Sequence, residues 1–293
     1  MKCLSFVFGL FLLTCFNVSA QITVEVILDQ QQFLPAEALP IKVRIVNRSG
    51  QSLHLGADPA WLTFTVTSVD NIPVPKISDP PVIGEFDLGS SQMATKRVDL
   101  APCFNLSRFG SYRVMATLHI KDWGTEIPSA PQTFDVIDGA KLWSQTFGLP
   151  APAGTTNVAP EARRYTLEQA NYLRSQLRMY VQVSDPDERH IYKVRAIGPM
   201  VSFSQPEAQL DPLNQLHVLY QSGARVFTYS VINPDGDIVQ QEDYDYYGSR
   251  PRLQTDNNGN VTVYGGVRRI KPALDVPAVQ PPRPIPAPAA PKP

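Results

Sequence analysis

The feature that most constrains the fold is an internal repeat in the last third of the chain. Residues 204–218 and 249–263 share one spaced pattern, and every matching position is displaced by 45 residues. The first copy carries the pattern at Ser204, Pro206, Gln209, Asp211, Leu216 and Val218. The second carries it at Ser249, Pro251, Gln254, Asp256, Val261 and Val263. Upstream, residues 183–187 match residues 231–235 at an offset of 48. Such self-similarity is typical of supersecondary units that bury their apolar faces against one another.

The repeat is built from short strands joined by tight turns. Asx-Pro-Asp turns predict two hairpins, in which 179–183 pairs with 191–197 and 226–232 pairs with 237–241. A further hairpin turn is predicted at 256–260, where Gly259 suits a positive φ. Thr166 and Gln169 have the spacing of a helix capping box, so one short helix is predicted over 166–174.

A period in the mid-forties with about four short strands per unit resembles a β-propeller blade. The segment RPRLQTDNNGNVTVYGG, residues 250–266, is similar to the inner-strand segment of such blades. Residues 164–270 hold barely two units, whereas closed propellers typically have ~4–8. This leaves an open sheet, a small sandwich of two repeats, or an oligomer that completes a ring. We favour a monomeric, two-repeat antiparallel β-sheet module over residues 164–271.

The preceding part of the chain, residues 21–137, alternates apolar and polar residues over short runs separated by Pro, Asn and Gly, which predicts a β-sandwich. Its segment LSRFGSYRV, residues 106–114, resembles the late strand of immunoglobulin-like modules. The resemblance implies a tyrosine corner, in which Tyr112 is buried and its hydroxyl bonds to backbone upstream. The cysteine pair of antibody domains is missing, so the likeness is to the broad class. Residues 138–163, rich in Pro, Ala and Gly, are interpreted as a linker.

The first 20 residues have the three parts of a signal peptide. Lys2 precedes an apolar run over 4–13, and the small residues of 17–20 offer a cleavage site. The run is too short to span a bilayer, which needs ~20 residues. We therefore expect an extracytoplasmic protein, either periplasmic or secreted. The alternative of a lipid anchor at Cys15 is disfavoured by Thr14, which stands where a smaller residue is preferred.

The last 22 residues, 272–293, contain nine prolines interspersed with alanine. Such a composition cannot bury enough apolar surface to fold, so it predicts a disordered tail of polyproline II character. Two sharper interpretations are a spacer through the cell envelope and a ligand for an aromatic groove.

Cysteine and charge content exclude several classes of protein. Cys103 is the one cysteine that remains after the leader is removed, so no intramolecular disulfide is possible in the mature chain. Of 26 Lys and Arg residues Lys2 leaves with the leader, so 25 basic residues face 27 acidic ones. Without a basic stripe, a nucleic-acid partner is not expected.

No spacing of residues predicts a catalytic, cofactor-binding or metal-binding site, and no cofactor is expected. The four histidines are far apart, and His119 and His217 lie in alternating runs as strand-face residues. Cys103 beside Phe104 is expected to be a buried, inert thiol. The candidate partner-binding loop combines three carboxylates with three tyrosines: Glu242, Asp243, Tyr244, Asp245, Tyr246 and Tyr247.

All-β architecture with a leader and no catalytic signature favours an exported, non-enzymatic binding or structural protein of a bacterial cell envelope. The expected partner is a protein or polysaccharide of that envelope. The alternative is a carbohydrate-active or other hydrolase that pairs Asp243 with Asp235 or Asp256, which needs carboxyl groups ~5–5.5 or ~6.5–9.5 Å apart in a cleft. A third interpretation is an assembly subunit whose repeats pair with another copy.

Overall fold

The computed structural model describes residues 22–149 and 161–270. Within these ranges the chain is all-β, as the sequence predicts, and the two helical segments are short 3₁₀ turns at Ala101–Cys103 and Lys121–Trp123. No helix of the described residues is long and apolar enough to cross a membrane. The predicted leader, 1–20, and the predicted tail, 272–293, lie outside the described residues.

Ten strands form the first module. They are β1 (Ile22–Leu28), β2 (Gln32–Phe33), β3 (Pro40–Asn47), β4 (Leu53–Leu55), β5 (Leu62–Ser68), β6 (Phe86–Leu88), β7 (Met93–Asp99), β8 (Gly110–Ile120), β9 (Thr125–Pro128) and β10 (Gln132–Val136). One sheet has the order β1-β3-β7 and the facing sheet has the order β2-β10-β8-β5, with β9 added to β8 and with β4 and β6 forming a separate pair. The module is a β-sandwich.

The sandwich core follows from period-two alternation. In β8, every second side chain from Tyr112 to Ile120 is buried, and β1 and β3 bury alternate residues in the same way. Side chains from both sheets meet in one apolar cluster that includes Ile41, Ile45, Val114 and Leu118. Each such aliphatic side chain contributes roughly 1.5–3 kcal/mol on burial, so this cluster holds the module together without a disulfide. Cys103 is buried in the cluster, as predicted.

The predicted tyrosine corner is confirmed. Tyr112 is buried, and its hydroxyl donates a 2.7 Å hydrogen bond to the carbonyl oxygen of Arg108, four residues upstream. Its ring stacks on Phe134 of the neighbouring strand with 5.6 Å between the centroids. The corner therefore ties the loop before β8 to the core.

Over its described residues, 140–149 and 161–270, the second module has eleven strands. They are β11 (Ala140–Leu149), β12 (Glu161–Leu173), β13 (Gln176–Ser184), β14 (Ile191–Pro199), β15 (Glu207–Leu210), β16 (Leu216–Gly223), β17 (Val226–Ile232), β18 (Ile238–Asp245), β19 (Arg252–Thr255), β20 (Val261–Tyr264) and β21 (Val267–Arg268). They make a four-stranded sheet, β11-β12-β13-β14, a five-stranded sheet, β15-β16-β17-β18-β21, and the hairpin β19-β20. The predicted hairpins β13-β14, β17-β18 and β19-β20 are confirmed.

The three parts of the second module are stacked in layers. One apolar cluster fills the space between the two larger sheets, with Tyr165, Val181, Val218 and Ile232 at its centre. A second cluster, which includes Phe227 and Tyr229, joins the five-stranded sheet to the β19-β20 hairpin. The five-stranded sheet is therefore covered on both faces.

The helix predicted over 166–174 is wrong, because these residues belong to strand β12 and to the turn that follows it. Leu167 packs between the two larger sheets, whereas Ala170 packs on the opposite side, towards the sandwich. Thr166 and Glu168 are buried as well. A strand that is covered on both faces shows no alternation of polar and apolar residues, so the sequence did not indicate a strand here. The capping-box spacing of Thr166 and Gln169 therefore favoured a helix.

The linker predicted over 138–163 is wrong in part, because residues 140–149 form β11 and β12 begins at Glu161. Strand β11 is the edge strand of the four-stranded sheet and pairs with β12. A bulge between Lys141 and Trp143 interrupts the register of this pairing. Exposed and buried positions do not alternate regularly along β11, so the sequence pattern did not predict this strand.

The two modules share an apolar junction. Leu34 and Ile137 of the sandwich pack against Ala170, Tyr180 and Val194 of the four-stranded sheet. Backbone bonds cross the same boundary, since the N–H of Gln31 donates to the carbonyl oxygen of Tyr172 at 3.0 Å. The sheet β11-β12-β13-β14 is therefore covered by the sandwich on the face that does not meet the five-stranded sheet.

Candidate functional site

The predicted partner-binding residues do not form one loop. Glu242, Asp243, Tyr244 and Asp245 lie in strand β18, and Tyr246 and Tyr247 follow it. Side chains alternate along a strand, so Glu242 and Tyr244 share one face while Asp243 and Asp245 share the other. The stretch therefore presents three different environments.

The first face of β18 is structural. Tyr244 packs beside Phe227 in the cluster under the β19-β20 hairpin, and burial raises the pKa of its hydroxyl. That hydroxyl donates to the carboxylate of Glu242 at 2.9 Å, and Nε of Arg268 lies 2.9 Å from the other oxygen of Glu242. Glu242 and Tyr244 thus satisfy each other within the fold.

The carboxylates of the second face also have partners. Asp243 accepts a 2.8 Å hydrogen bond from the hydroxyl of Thr228. Asp245 accepts two hydrogen bonds from Arg269, at 2.7 and 2.8 Å, and this contact lowers the pKa of Asp245. Both Arg268 and Arg269 sit at β21, which pairs with the end of β18.

Asp243 faces a cleft of about 300 Å³ between the two larger sheets. The cleft is lined in part by Tyr220, Ser222, Thr228 and Gln241. Tyr220 and Gln241 both donate to the carbonyl oxygen of Ile197, at 2.8 and 2.7 Å. These groups are occupied in bonds that hold the two sheets together at this end of the module.

Tyr246 and Tyr247 are the exposed part of the stretch, with 41% and 76% of their surface accessible. The backbone of Tyr246 is fixed twice by Arg225, whose carbonyl oxygen accepts from the Tyr246 N–H at 2.8 Å and whose guanidinium donates to the Tyr246 carbonyl at 3.0 Å. The same guanidinium lies 5.6 Å from the ring centroid of Tyr246. The ring of Tyr246 is therefore presented on a backbone that Arg225 holds, and the carbonyl oxygen of Tyr247 accepts from the N–H of Ser249 at 2.9 Å.

A third exposed tyrosine, Tyr264, lies at the end of β20 and is 70% accessible. The turn after it is joined to the segment after Tyr247, because the N–H of Gly266 donates to the hydroxyl of Ser249 at 3.2 Å. We call Tyr246, Tyr247 and Tyr264 the tyrosine ridge. Sequence reasoning missed Tyr264, because the bond between Gly266 and Ser249 that joins the two segments depends on how the hairpin folds back onto β18.

The carboxylate pairs of the hydrolase alternative are not brought together. Asp235 lies in the β17-β18 turn and pairs with Arg163 at 3.0 Å, whereas Asp243 lies five residues beyond the start of β18, about 17 Å along the strand. Asp256 lies at the turn of the β19-β20 hairpin. Arg252, at the other end of that hairpin, lies about 13 Å from Asp256 along the strand. Arg252 pairs with Tyr264, and the turn after Tyr264 leads to β21, which pairs with Tyr244 and Asp245 of β18. Asp256 is therefore at the end of the hairpin that is far from Asp243.

The histidines have separate environments. His119 lies in β8 and His217 in β16, which confirms their prediction as strand residues. His217 is buried, with Nδ1 2.6 Å from the hydroxyl of Tyr229 and Nε2 3.3 Å from Asp211. Burial raises the pKa of the Tyr229 hydroxyl to about 12, so this hydroxyl stays neutral beside His217. In the described ranges, no group of three or more His, Cys, Asp or Glu side chains is arranged to hold a metal ion.

Comparison with known proteins gives no family. No family model matches the chain, and no curated protein matches it. Among solved structures, the chain is similar to Spo0M, a sporulation control protein from Bacillus subtilis, with a TM-score of 0.32 and 12% sequence identity. The alignment covers 56% of this chain and 80% of Spo0M.

Proposed function

We propose that this chain is an exported, non-enzymatic binding or structural protein of a bacterial cell envelope. The observation that carries the proposal is the tyrosine ridge, in which three tyrosine rings are exposed and the backbone at Tyr246 is held by Arg225. Export rests on the leader pattern over residues 1–20. Tyr246 and Tyr247 of the ridge belong to the predicted site, and both are accessible to a partner.

The two modules have different proposed roles. The sandwich, with its tyrosine corner, is immunoglobulin-like and acts as a spacer or docking domain. The layered module is assembled from blade-type units, of which β11-β14 and β15-β18 are four-stranded and β19-β20 is a partial third. It positions the ridge beside the β16-β17 turn, which carries Arg225, and opposite the β17-β18 and β19-β20 turns.

The contacts of the ridge favour a polysaccharide or protein surface over a cation. Tyrosine offers rigid amphipathic area at low entropic cost, which suits the faces of sugars and the apolar centres of protein interfaces. The neighbouring carboxylates of Glu242 and Asp245 are already paired with Arg268 and Arg269. Recruiting them to a ligand requires breaking those pairs.

The test is a thermal-shift scan of the full mature chain against cell-wall fragments and a polysaccharide panel. A ligand at a hundredfold its dissociation constant adds ~2.7 kcal/mol of stability, which is several degrees. Tyr246→Ala with Tyr247→Ala should remove the shift. Tyr244 is left unchanged, because its ring is part of the core.

Tyr192→Ala is the matched control. Its side chain is 41% accessible, like that of Tyr246, and it also lies under an arginine, Arg163, at 4.7 Å. Loss of the shift in the double variant with retention in the control supports the ridge. A ligand whose shift survives the double variant would overturn it. If no compound of the panel shifts the melting temperature, the hypothesis of a small cell-wall or polysaccharide ligand is wrong. That result would favour the structural role in the proposal.

The hydrolase alternative is disfavoured by the separation of Asp243 from Asp235 and Asp256. It predicts release of reducing sugars from a panel polysaccharide and loss of that release in Asp243→Asn. Any turnover that depends on Asp243 would replace the non-enzymatic proposal.

A further inference from the structure

We propose that the proline-rich tail of this chain, residues 272–293, docks in an apolar groove at one end of the sandwich. The groove encloses about 510 Å³ between the segment after β5 and the loop before β8. We call it the tip groove. Its lining includes Val69, Ile72, Pro73, Pro75 and Phe109. This inference does not depend on the proposed function, because the tip groove and the tyrosine ridge lie in different modules.

The tip groove exposes large apolar side chains side by side. Val69, Ile72 and Phe109 are 41%, 63% and 59% accessible. Single exposed apolar residues are ordinary, but several that line one concave site mark a place where something binds. The groove also contains one charge of each sign, Asp70 and Arg108.

Both walls of the tip groove are preformed. On one side, the tyrosine corner fixes the backbone that carries Arg108 and Phe109, through the 2.7 Å bond from Tyr112. On the other side, the N–H of Ser68 donates to the carbonyl of Ile72 at 2.9 Å and closes a turn. A groove that is rigid before binding loses little entropy when a ligand enters.

The tail has the chemistry that such a groove recognises. Proline-rich segments in the polyproline II conformation dock in apolar grooves that carry an aromatic ring, here Phe109. The tail contains Arg283 between two prolines, and Lys292 near its end. Asp70 makes no hydrogen bond or ion pair with any other described residue, so its carboxylate is available to a basic residue of the tail.

The tail is long enough to reach the groove. Residues 271–293 follow directly on Ile270, and in polyproline II they extend about 70 Å at ~3.1 Å per residue. A compact body of about 240 residues has a radius of gyration of about 18 Å. Length therefore permits docking within one chain.

The experiment places a nitroxide on the tail of the full mature chain by Ala287→Cys and records methyl signals by NMR. Cys103 is buried and does not take the label. Docking should broaden the methyl signals of Ile72 strongly. Ile83 is the matched reference: it is exposed in the same module, but it follows Val82, whose carbonyl accepts from the indole of Trp61 at the opposite end of β5.

Groove and tail variants test the specificity of docking. Asp70→Asn with Phe109→Ala should return Ile72 to the level of Ile83, whereas Phe203→Ala, an exposed phenylalanine of the second module, should change nothing. Arg283→Gln should weaken docking about two- to fivefold, as expected for an exposed ion pair. An excess of unlabelled peptide of residues 272–293 should restore the Ile72 signal.

Three outcomes would overturn the proposal. Equal effects on Ile72 and Ile83 mean that the tail does not occupy the groove. Broadening that disappears on dilution, or that transfers from a labelled to an unlabelled chain, assigns the groove to a second copy. Broadening that survives the double groove variant places the tail elsewhere on the sandwich.

Discussion

Asp211 and Asp256, 45 residues apart, make the same turn: each carboxylate accepts hydrogen bonds from the backbone N–H groups two and four residues further on, at 2.8–2.9 Å. The sequence repeat is thus a repeat of turn chemistry. The two copies differ in their surroundings. Asp211 is mostly buried and lies 3.3 Å from His217, whereas Asp256 is exposed.

This difference predicts unequal costs for the same substitution. Asp211→Ala should lower the free energy of unfolding by about 2 kcal/mol, because it removes the acceptor of two backbone N–H groups from a mostly buried turn beside His217. Asp256→Ala should cost about 1 kcal/mol, since water can reach its freed N–H groups. Denaturant unfolding measures both. Asp211→Asn, which keeps the acceptor oxygen, should recover part of the loss, and equal losses in the two alanine variants would contradict the argument.

The strands and turns that were predicted correctly depend on local signals. Period-two alternation identified the strands with one buried face, such as β8, and Asx residues with Gly259 identified the turns. Strand β12 was not predicted, because a strand that is buried on both faces has no alternation of polar and apolar residues. The second layer that covers β12 is the sandwich, and the sequence of β12 alone does not indicate that such a layer is present.

The candidate site shows the same limit. Composition singled out the acidic and tyrosine-rich stretch, and Tyr246 and Tyr247 are exposed as a binding role requires. The neutralising residues, Arg268 and Arg269, lie more than 20 residues downstream and reach Glu242 and Asp245 through the pairing of β21 with β18. The pairing of β21 with β18 is set by the tertiary fold. From the sequence of residues 242–247 alone, more unpaired negative charge is therefore expected than the structure contains.

The tyrosine corner makes a second prediction. Tyr112→Phe removes the hydroxyl that bonds to the Arg108 carbonyl while keeping the stacked ring, so it should lower the free energy of unfolding by about 1 kcal/mol. Tyr264→Phe, at an exposed tyrosine, should change it by less than about 0.5 kcal/mol. Chemical denaturation of both variants gives the comparison. If the Tyr112→Phe variant is as stable as the control, the corner does not contribute to folding.

Gly198 makes a third prediction, because its φ of +149° is unfavourable for other residues and a Cβ there would lie 2.4 Å from the hydroxyl of Tyr220. Gly198→Ala should cost about 2 kcal/mol or more, through backbone strain and the displaced hydroxyl. Gly148→Ala is the control, since nothing lies within 4 Å of its Cβ position. A thermal melt in which both variants match the parent would show that β14 relaxes freely at this point.

The last prediction concerns pH and the module junction. Glu168 is 7% exposed, and its burial raises the pKa of its carboxyl to about 7, a rise that Lys141 opposes while Asp138 and Glu188 add to it. Burial also raises the pKa of Glu37, across the junction. A raised carboxyl pKa means that the folded state favours the neutral form, so the stabilisation is present below the unfolded pKa and is lost as pH rises through about 7.

The free energy of unfolding should therefore fall between about pH 4, near the pKa of an unfolded glutamate, and about pH 7, by up to about 3 kcal/mol for Glu168. Glu168→Gln, which is neutral throughout, should flatten this part of the profile and be more stable than the parent at the alkaline end. Asp122→Asn, at an exposed carboxyl of the sandwich, should leave the profile unchanged. Urea unfolding at several pH values measures all three chains, and a parent-like slope in the Glu168→Gln variant would assign the pH dependence to Glu37 instead.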